Sequence, residues 1–157
     1  MNPELFLQDL ERKPEVLARA INVWQSENPW SAIPSLRDFH GSVVLLGMGS
    51  SHYANALLAQ RLMNRGVNAV AVLASSDLLP RIEPSDVVIA VSATGGSVET
   101  LDAVNRVQGL APIVAVTNTE GSALADAADV SVLMLAEKEV GGVACRSYQH
   151  TLAVHLL

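Results

Sequence analysis

The run Val43-Val44-Leu45-Leu46 passes straight into Gly47-Met48-Gly49-Ser50-Ser51-His52 and then into a helix-length segment that ends near Arg65. Four apolar residues with no polar alternation make a strand covered on both faces, and such strands belong to parallel sheets wrapped by crossover helices. The same unit recurs downstream. Ala69 to Leu73, Val87 to Val91, Ile113 to Val116 and Val130 to Leu135 predict four further strands, apolar throughout but for Ser131 in the last. Helices fit Ser51 to Arg65, Gly96 to Gln108, Ser122 to Ala127 and Val143 to Leu157. Strands alternating with helices in this way predict a three-layer α/β sandwich built on a parallel sheet.

Upstream, Asn2 followed by Pro3 suits a helix N-cap and first position. Leu5, Leu7 and Leu10, then Val16, Leu17, Ala20, Ile21 and Trp24, mark two amphipathic helices that Pro14 divides. Asn28 to His40 carries Pro29, Pro34 and two serines and reads as a connection. The expected organisation is a helical arm and linker over 1–40, then one domain over 41–157. The last helix, with Tyr148, Leu152, Ala153, Leu156 and Leu157, meets no Gly, Asn or Lys stop signal. Its end is therefore expected to pack on another subunit or to continue in a longer protein.

With 157 residues, 50% of them hydrophobic, the chain suits a single domain with a full core. A net charge of −6 gives no basic footprint for nucleic acid, and the two Trp, two Tyr and two Phe are scattered rather than interleaved with Lys or Arg. Apolar stretches such as Ala69 to Ala74 fall far short of the roughly 18 residues that span a bilayer. The start, Met-Asn-Pro-Glu-Leu-Phe-Leu, lacks the basic head of a secretory signal. The lone Cys145 allows neither an internal disulfide nor a cysteine zinc cage. A cytoplasmic protein with a small-molecule ligand, no metal and no cofactor is expected.

Two loops carry chemistry: Gly47-Met48-Gly49-Ser50-Ser51-His52 after the first strand and Ser92-Ala93-Thr94-Gly95-Gly96-Ser97 after the third. In a doubly wound sheet of order 2-1-3-4-5 these strands are neighbours, and ligands bind in the crevice beyond their carboxyl ends. Gly47, Gly49, Gly95 and Gly96 let backbone approach a ligand, helix N-termini aim free N–H groups at it, and the hydroxyls of Ser50, Ser51, Ser92, Thr94 and Ser97 add donors. The pattern suits an anion with several oxygens. Ser, Thr and Gly also serve plain caps and turns, which is the structural alternative for either loop alone. Neither loop contains Lys or Arg, so a Walker-type phosphate loop is excluded. A dinucleotide fold is the nearest rival, but His52 stands at the third glycine position and Leu73-Ala74-Ser75-Ser76 offers no acid for a ribose.

Gly47-Met48-Gly49-Ser50-Ser51 and Ser92-Ala93-Thr94-Gly95-Gly96-Ser97-Val98-Glu99-Thr100 resemble the two signature loops of the sugar isomerase (SIS) domain family. The resemblance continues through Ala115-Val116-Thr117-Asn118-Thr119-Glu120-Gly121-Ser122, Ala128-Asp129-Val130 and Glu139-Val140-Gly141, leading to Tyr148, and covers nearly everything after residue 40. It is nearest to the first subdomain of two-subdomain phosphosugar isomerases. It implies a flavodoxin-like sheet of order 2-1-3-4-5 and a sugar phosphate held by Ser51, Ser92, Thr94 and Ser97. Where the family often has Gln and Glu in the second loop this chain has Ala93 and Gly96, and Ala144-Cys145-Arg146 stands where Ala-Ser/Ala-Thr-Lys is common.

Such enzymes interconvert aldose and ketose phosphates by moving a proton between neighbouring carbons, which needs a base near neutrality. In the resembling enzymes that base is a glutamate on the first helix of the second subdomain. The equivalent helix here, His52 to Arg65, contains no Asp or Glu. The implied function is a phosphosugar-binding part of an isomerase, aminotransferase or deaminase acting on a hexose or aminohexose phosphate, its base supplied by a second SIS subdomain or the other copy of a homodimer. The alternative is a sugar-sensing module of a regulator, against which the first 40 residues set Arg12, Lys13, Arg19 and Arg37 against six acidic residues.

Among single residues, His52 is a candidate acid or base or a locally bonded helix residue. Glu137 and Glu139, beside Gly141-Gly142, are candidates for touching the sugar, with Glu139 also a catalytic candidate. Glu99 is expected to serve the helix dipole and close a capping box. His150 and His155 are expected to be packed, His40 to be linker, and Cys145 to act as a small apolar residue.

Overall fold

The computed structural model describes residues 2–33 and 39–157; Met1 and residues 34–38 of the expected linker lie outside the described residues. Five strands, β1 Ser42–Gly47, β2 Asn68–Leu73, β3 Val87–Val91, β4 Ile113–Thr117 and β5 Val130–Leu133, form one sheet of order β2-β1-β3-β4-β5. Every pairing is parallel. The helices are α1 Pro3–Glu11, α2 Lys13–Ser26, α3 Gly49–Met63, α4 Val98–Val107, α5 Ala123–Asp126 and α6 Arg146–Val154. The flavodoxin-like three-layer αβα sandwich is thus what the chain adopts.

Alternate residues along the central strands feed two cores, as the period of two requires. Val43, Leu45, Ile89, Val91, Val114 and Val116 pack with α2, α3 and α6, while Val44, Leu46, Val88, Ala90 and Ala115 pack with α4 and α5. β3 and β4 are buried throughout, and β1 is buried after its first residue. β2 departs from the expected double coverage: it is an edge strand, and Val70 and Leu73 are exposed. Two carboxylates tie the starts of the strands. Asp86 accepts from the Ser42 N–H at 2.7 Å, and Asp129 accepts from the Ile113 N–H at 2.8 Å.

Asn2 caps α1, its Oδ1 accepting from the N–H groups of Glu4 and Leu5 at 3.1 and 3.2 Å. The break between α1 and α2 falls at Arg12, and Pro14 sits inside the first turn of α2, where a missing N–H costs nothing. Ala20 and Trp24 of α2 enter the same core as the sheet, and Trp24 Nε1 donates to the Leu133 carbonyl at 3.3 Å. The N-terminal helices therefore pack as part of the main domain's structure.

Several ends differ from expectation by two or three residues, among them that of α6, which stops at Val154 rather than Leu157. β5 stops at Leu133 because Leu135 and Glu137 take left-handed conformations, with φ of 53° and 55°, which no strand accepts. α6 starts at Arg146, later than expected, because its cap comes from outside the helix.

Candidate functional site

Gly47 of β1 pairs with Val91 of β3, so the loops that follow leave the sheet side by side. The first turns directly into α3. Met48 is the N-cap and has no side chain able to cap; the N–H groups of Ser51 and His52 bond the Met48 carbonyl at 3.0 and 3.4 Å. The amides of Gly49 and Ser50 have no partner among the described residues, which leaves an uncapped positive helix end at the crevice. Gly49 has φ of 50° with open space around its Cα, so its conformation rather than crowding favours glycine.

The second loop is clamped from below. Gly95 has φ of 65°, and a Cβ on it would lie 2.0 Å from Ser122 Oγ and 3.0 Å from Thr117 Oγ1. Its carbonyl accepts from the Leu124 N–H at 3.0 Å, and Ala93 accepts from the Asn118 N–H at 2.9 Å. Asn118 reaches on to the loop after β5: its Oδ1 accepts from Ala136 N–H and its Nδ2 donates to the Glu137 carbonyl, both at 2.7 Å. The loops after β3, β4 and β5 are therefore one bonded floor.

The hydroxyls divide into free and committed. Ser50, Ser51 and Ser92 make no side-chain hydrogen bond among the described residues, and Thr94 Oγ1 accepts only from the Gly96 N–H at 3.3 Å, leaving its hydrogen to donate. Ser97 is committed: it caps α4 by accepting from Thr100 N–H and Oγ1 at 3.3 and 3.1 Å and donates to Glu99 at 2.9 Å. Glu99 occupies the second helical position, so the expected capping box does not close, since that requires the third, which is Thr100. A hydrogen bond from its own amide, then that from Ser97, holds the Glu99 carboxyl below the ordinary value.

The acidic candidates are engaged elsewhere. Glu139 caps α6: one oxygen accepts from the N–H groups of Cys145 and Arg146, both at 2.6 Å, the other from Ser147 N–H and Oγ at 3.2 and 2.6 Å. Burial raises its pKa, but the bonds from Ser147, Cys145 and Arg146 outweigh this and hold it below the ordinary range. A carboxylate so held is a poor proton carrier at neutrality. Glu137 pairs with Arg19 and Arg12, joining the loop to α1 and α2. Cys145 is half-buried and its thiol is pushed up, first by burial and then by the bond to Glu139.

His52 is half-buried, with Nδ1 shut from solvent and unpartnered among the described residues. His150 and His155 are packed: His150 Nδ1 lies 2.8 Å from the Met134 carbonyl, and His155 Nε2 lies 3.2 Å from Asn55 Oδ1. Arg146, in the stretch that departs from the family pattern, is fully buried and pairs with Asp9 at 2.9 Å. The bridging by Asn118 was signalled only by its place in the resembling motif, and the Asp9–Arg146 pair had no signal in the sequence pattern. Among the described residues no helix is long and apolar enough to cross a membrane, and no group of His, Cys, Asp and Glu is arranged to hold a metal.

The family model of the SIS domain matches residues 35–157. The glutamine–fructose-6-phosphate aminotransferase (isomerizing) of Sulfurisphaera tokodaii is 25% identical over 154 residues, which cover 96% of this chain and 26% of that protein. The chain thus spans about a quarter of the length of that relative. Among solved structures, the C-terminal domain of glucosamine-fructose-6-phosphate aminotransferase from Francisella tularensis superposes with a TM-score of 0.80 at 15% identity, over 96% of this chain and 45% of that one. The tagatose-6-phosphate ketose/aldose isomerase of Escherichia coli gives 0.76 at 21% identity, over 95% and 45%.

Proposed function

Since the chain belongs to the SIS domain family, we propose that it binds the phosphate of a hexose or aminohexose phosphate in the crevice between the loops after β1 and β3. It would do so as one unit of an aldose–ketose isomerase, aminotransferase or deaminase, working in the cytoplasm with a second SIS subdomain or a second copy of itself. The carrying observation is that two strands in register end in donor-rich loops with free hydroxyls beside an uncapped helix terminus. Ser51, Ser92 and Thr94 offer hydroxyl hydrogens to phosphate oxygens, with Ser50 beside them. The free amides of Gly49 and Ser50 add the helix dipole, and the exposed backbone at Gly96 admits close approach. Ser97 joins only by exchanging its bond to Glu99 for one to the phosphate.

This grip fixes one end of the substrate so that its carbonyl end lies toward whatever group moves the proton. α3 reads GSSHYANALLAQRLM and presents no carboxylate to the crevice, and Glu139 is spent on α6. The base is accordingly assigned to the second subdomain or partner, with His52 as the one histidine of this chain on the first crevice helix. The same lack of a base favours, as a second reading, a sensing module that binds the sugar phosphate without turning it over.

Isothermal titration with fructose 6-phosphate, glucosamine 6-phosphate and NAD tests the reading. Binding of the sugar phosphates but not NAD is expected. Ser51→Ala, Ser92→Ala and Thr94→Ala should each weaken it about ten- to hundred-fold, since a hydrogen bond to a charged group contributes roughly 1.5–3 kcal/mol. Unchanged affinity in all three would remove the phosphate site.

A further inference from the structure

Asp9 is the single buried residue of α1, and it is a carboxylate. A helix that docked for hydrophobic gain would bury leucines instead; Leu7 is more than half exposed. What Asp9 does is hold a loop. Its Oδ2 accepts from the N–H groups of Val140 and Gly141 at 2.8 and 2.7 Å, while Oδ1 accepts from Arg146 Nη1 at 2.9 Å. Arg146 in turn donates from Nε to the Ala136 carbonyl at 3.0 Å and from Nη2 to the Lys138 carbonyl at 2.7 Å. Both charged groups are almost wholly buried, at 2% and 0% exposure. α1 also lies so close to the loop that a Cβ on Gly141 would come within 2.5 Å of Phe6 Cα.

The loop held this way, residues 135–141, includes the left-handed Leu135 and Glu137 and is bonded through Asn118 to Ala93 in the loop after β3. A continuous set of hydrogen bonds thus runs from α1 to the proposed phosphate loop: Asp9 to Arg146, Arg146 to Ala136, Ala136 to Asn118, and Asn118 to Ala93. A buried ion pair costs desolvation that an apolar pair would avoid, so its use here calls for a role beyond stability. Removing either charge leaves the other unpaired and the loop without its anchors.

We infer that Asp9 and Arg146 are positioning residues for the crevice: through the loop after β5 and Asn118 they set the backbone of residues 93–96, so that α1 forms part of the binding site's framework. The inference rests on the phosphosugar reading for its functional meaning, but its geometric content can be read without any ligand.

The test compares the full chain with Asp9→Asn, Asn118→Ala and, as a control on the solvent face of α1, Glu11→Gln. Amide hydrogen exchange at residues 93–96 and affinity for fructose 6-phosphate are measured on each. The Asp9 and Asn118 variants should speed exchange at those amides at least tenfold and weaken binding by a similar factor, with the Glu11 variant like wild type. Circular dichroism reports whether each variant is folded. Should Asp9→Asn fail to fold, Asn118→Ala decides, because it cuts the chain of bonds while leaving the ion pair intact. Unchanged exchange and affinity in the folded variants overturn the inference. If wild type does not bind the sugar phosphate yet exchange still quickens, the phosphosugar reading falls and the positioning stands.

Discussion

His155 should make the fold lose stability as the pH falls from neutrality towards 4. Asn55 Nδ2 donates to the Leu46 carbonyl at 3.1 Å, which orients Asn55 Oδ1 as the acceptor facing His155 Nε2. The proton of the neutral imidazole therefore sits on Nε2, and Nδ1, buried and without a partner among the described residues, stays bare. A second proton would have to enter at Nδ1, which meets no acceptor among the described residues. The ring also lines a cavity of about 610 Å³ that it shares with Arg61 and Arg65, where no Asp or Glu side chain stands among the described lining residues. Burial accordingly depresses the pKa from 6.5 to about 4. Because the folded value lies below the unfolded one, the unfolded chain takes up the proton first, and stability falls between about pH 6.5 and 4 and levels off below. The full loss is about 3 kcal/mol, of which about 2 kcal/mol should be gone by pH 5. Urea unfolding of wild type and His155→Gln at pH 7.5 and 5.0 isolates this contribution, since glutamine keeps a donor for Asn55 but does not titrate. The variant should start less stable and lose about 2 kcal/mol less than wild type on acidification. Equal losses in the two proteins would refute the assignment, whatever His150 adds in common to both.

Glu139→Ala should lower stability by about 1–2 kcal/mol, the cost of an N-cap, because the N–H groups of Cys145, Arg146 and Ser147 lose their acceptor. That stabilisation is present above the unfolded carboxyl pKa and disappears as pH falls through the depressed folded value, so wild type and variant should converge in acid. A thermal midpoint unmoved at pH 7 would show that the cap is idle. Gly95→Ala should destabilise by about 2 kcal/mol or more, through strain at φ of 65° and overlap with Ser122. Gly96→Ala, with only Thr94 Oγ1 at 3.8 Å, should leave the fold intact and affect sugar phosphate affinity alone. Chemical denaturation beside titration with fructose 6-phosphate separates the two, and equal stability effects at both glycines would contradict the packing described.

The sheet was legible because its central strands are buried on both faces, and a buried strand must be written in uninterrupted apolar residues such as Val87–Val91. The order of the strands was implied by the resemblance of the two donor-rich loops to those of the SIS family, and the sheet has that order, with β1 and β3 neighbours. Free hydroxyls could not be told from capping hydroxyls by composition: Ser97 caps α4 while Ser92 does not cap anything, yet both are serines in one loop. That distinction depends on where the helix begins, and the beginning of a helix is uncertain by a residue or two in any pattern of apolar spacing. The carboxylates misled for a related reason. Glu139 lies six residues before the helix position it caps, beyond the two or three residues over which local caps operate. Asp9 and Arg146 are 137 residues apart, and each sits in an otherwise polar or mixed stretch where a charged residue predicts solvent. Long-range polar bonding leaves no period in the sequence, and the loops that give the crevice its shape are held almost entirely by such bonds. Substitutions aimed at the sugar phosphate should therefore be chosen from the bonded floor, Asn118, Arg146 and Asp9, as much as from the serines that the sequence pattern displays.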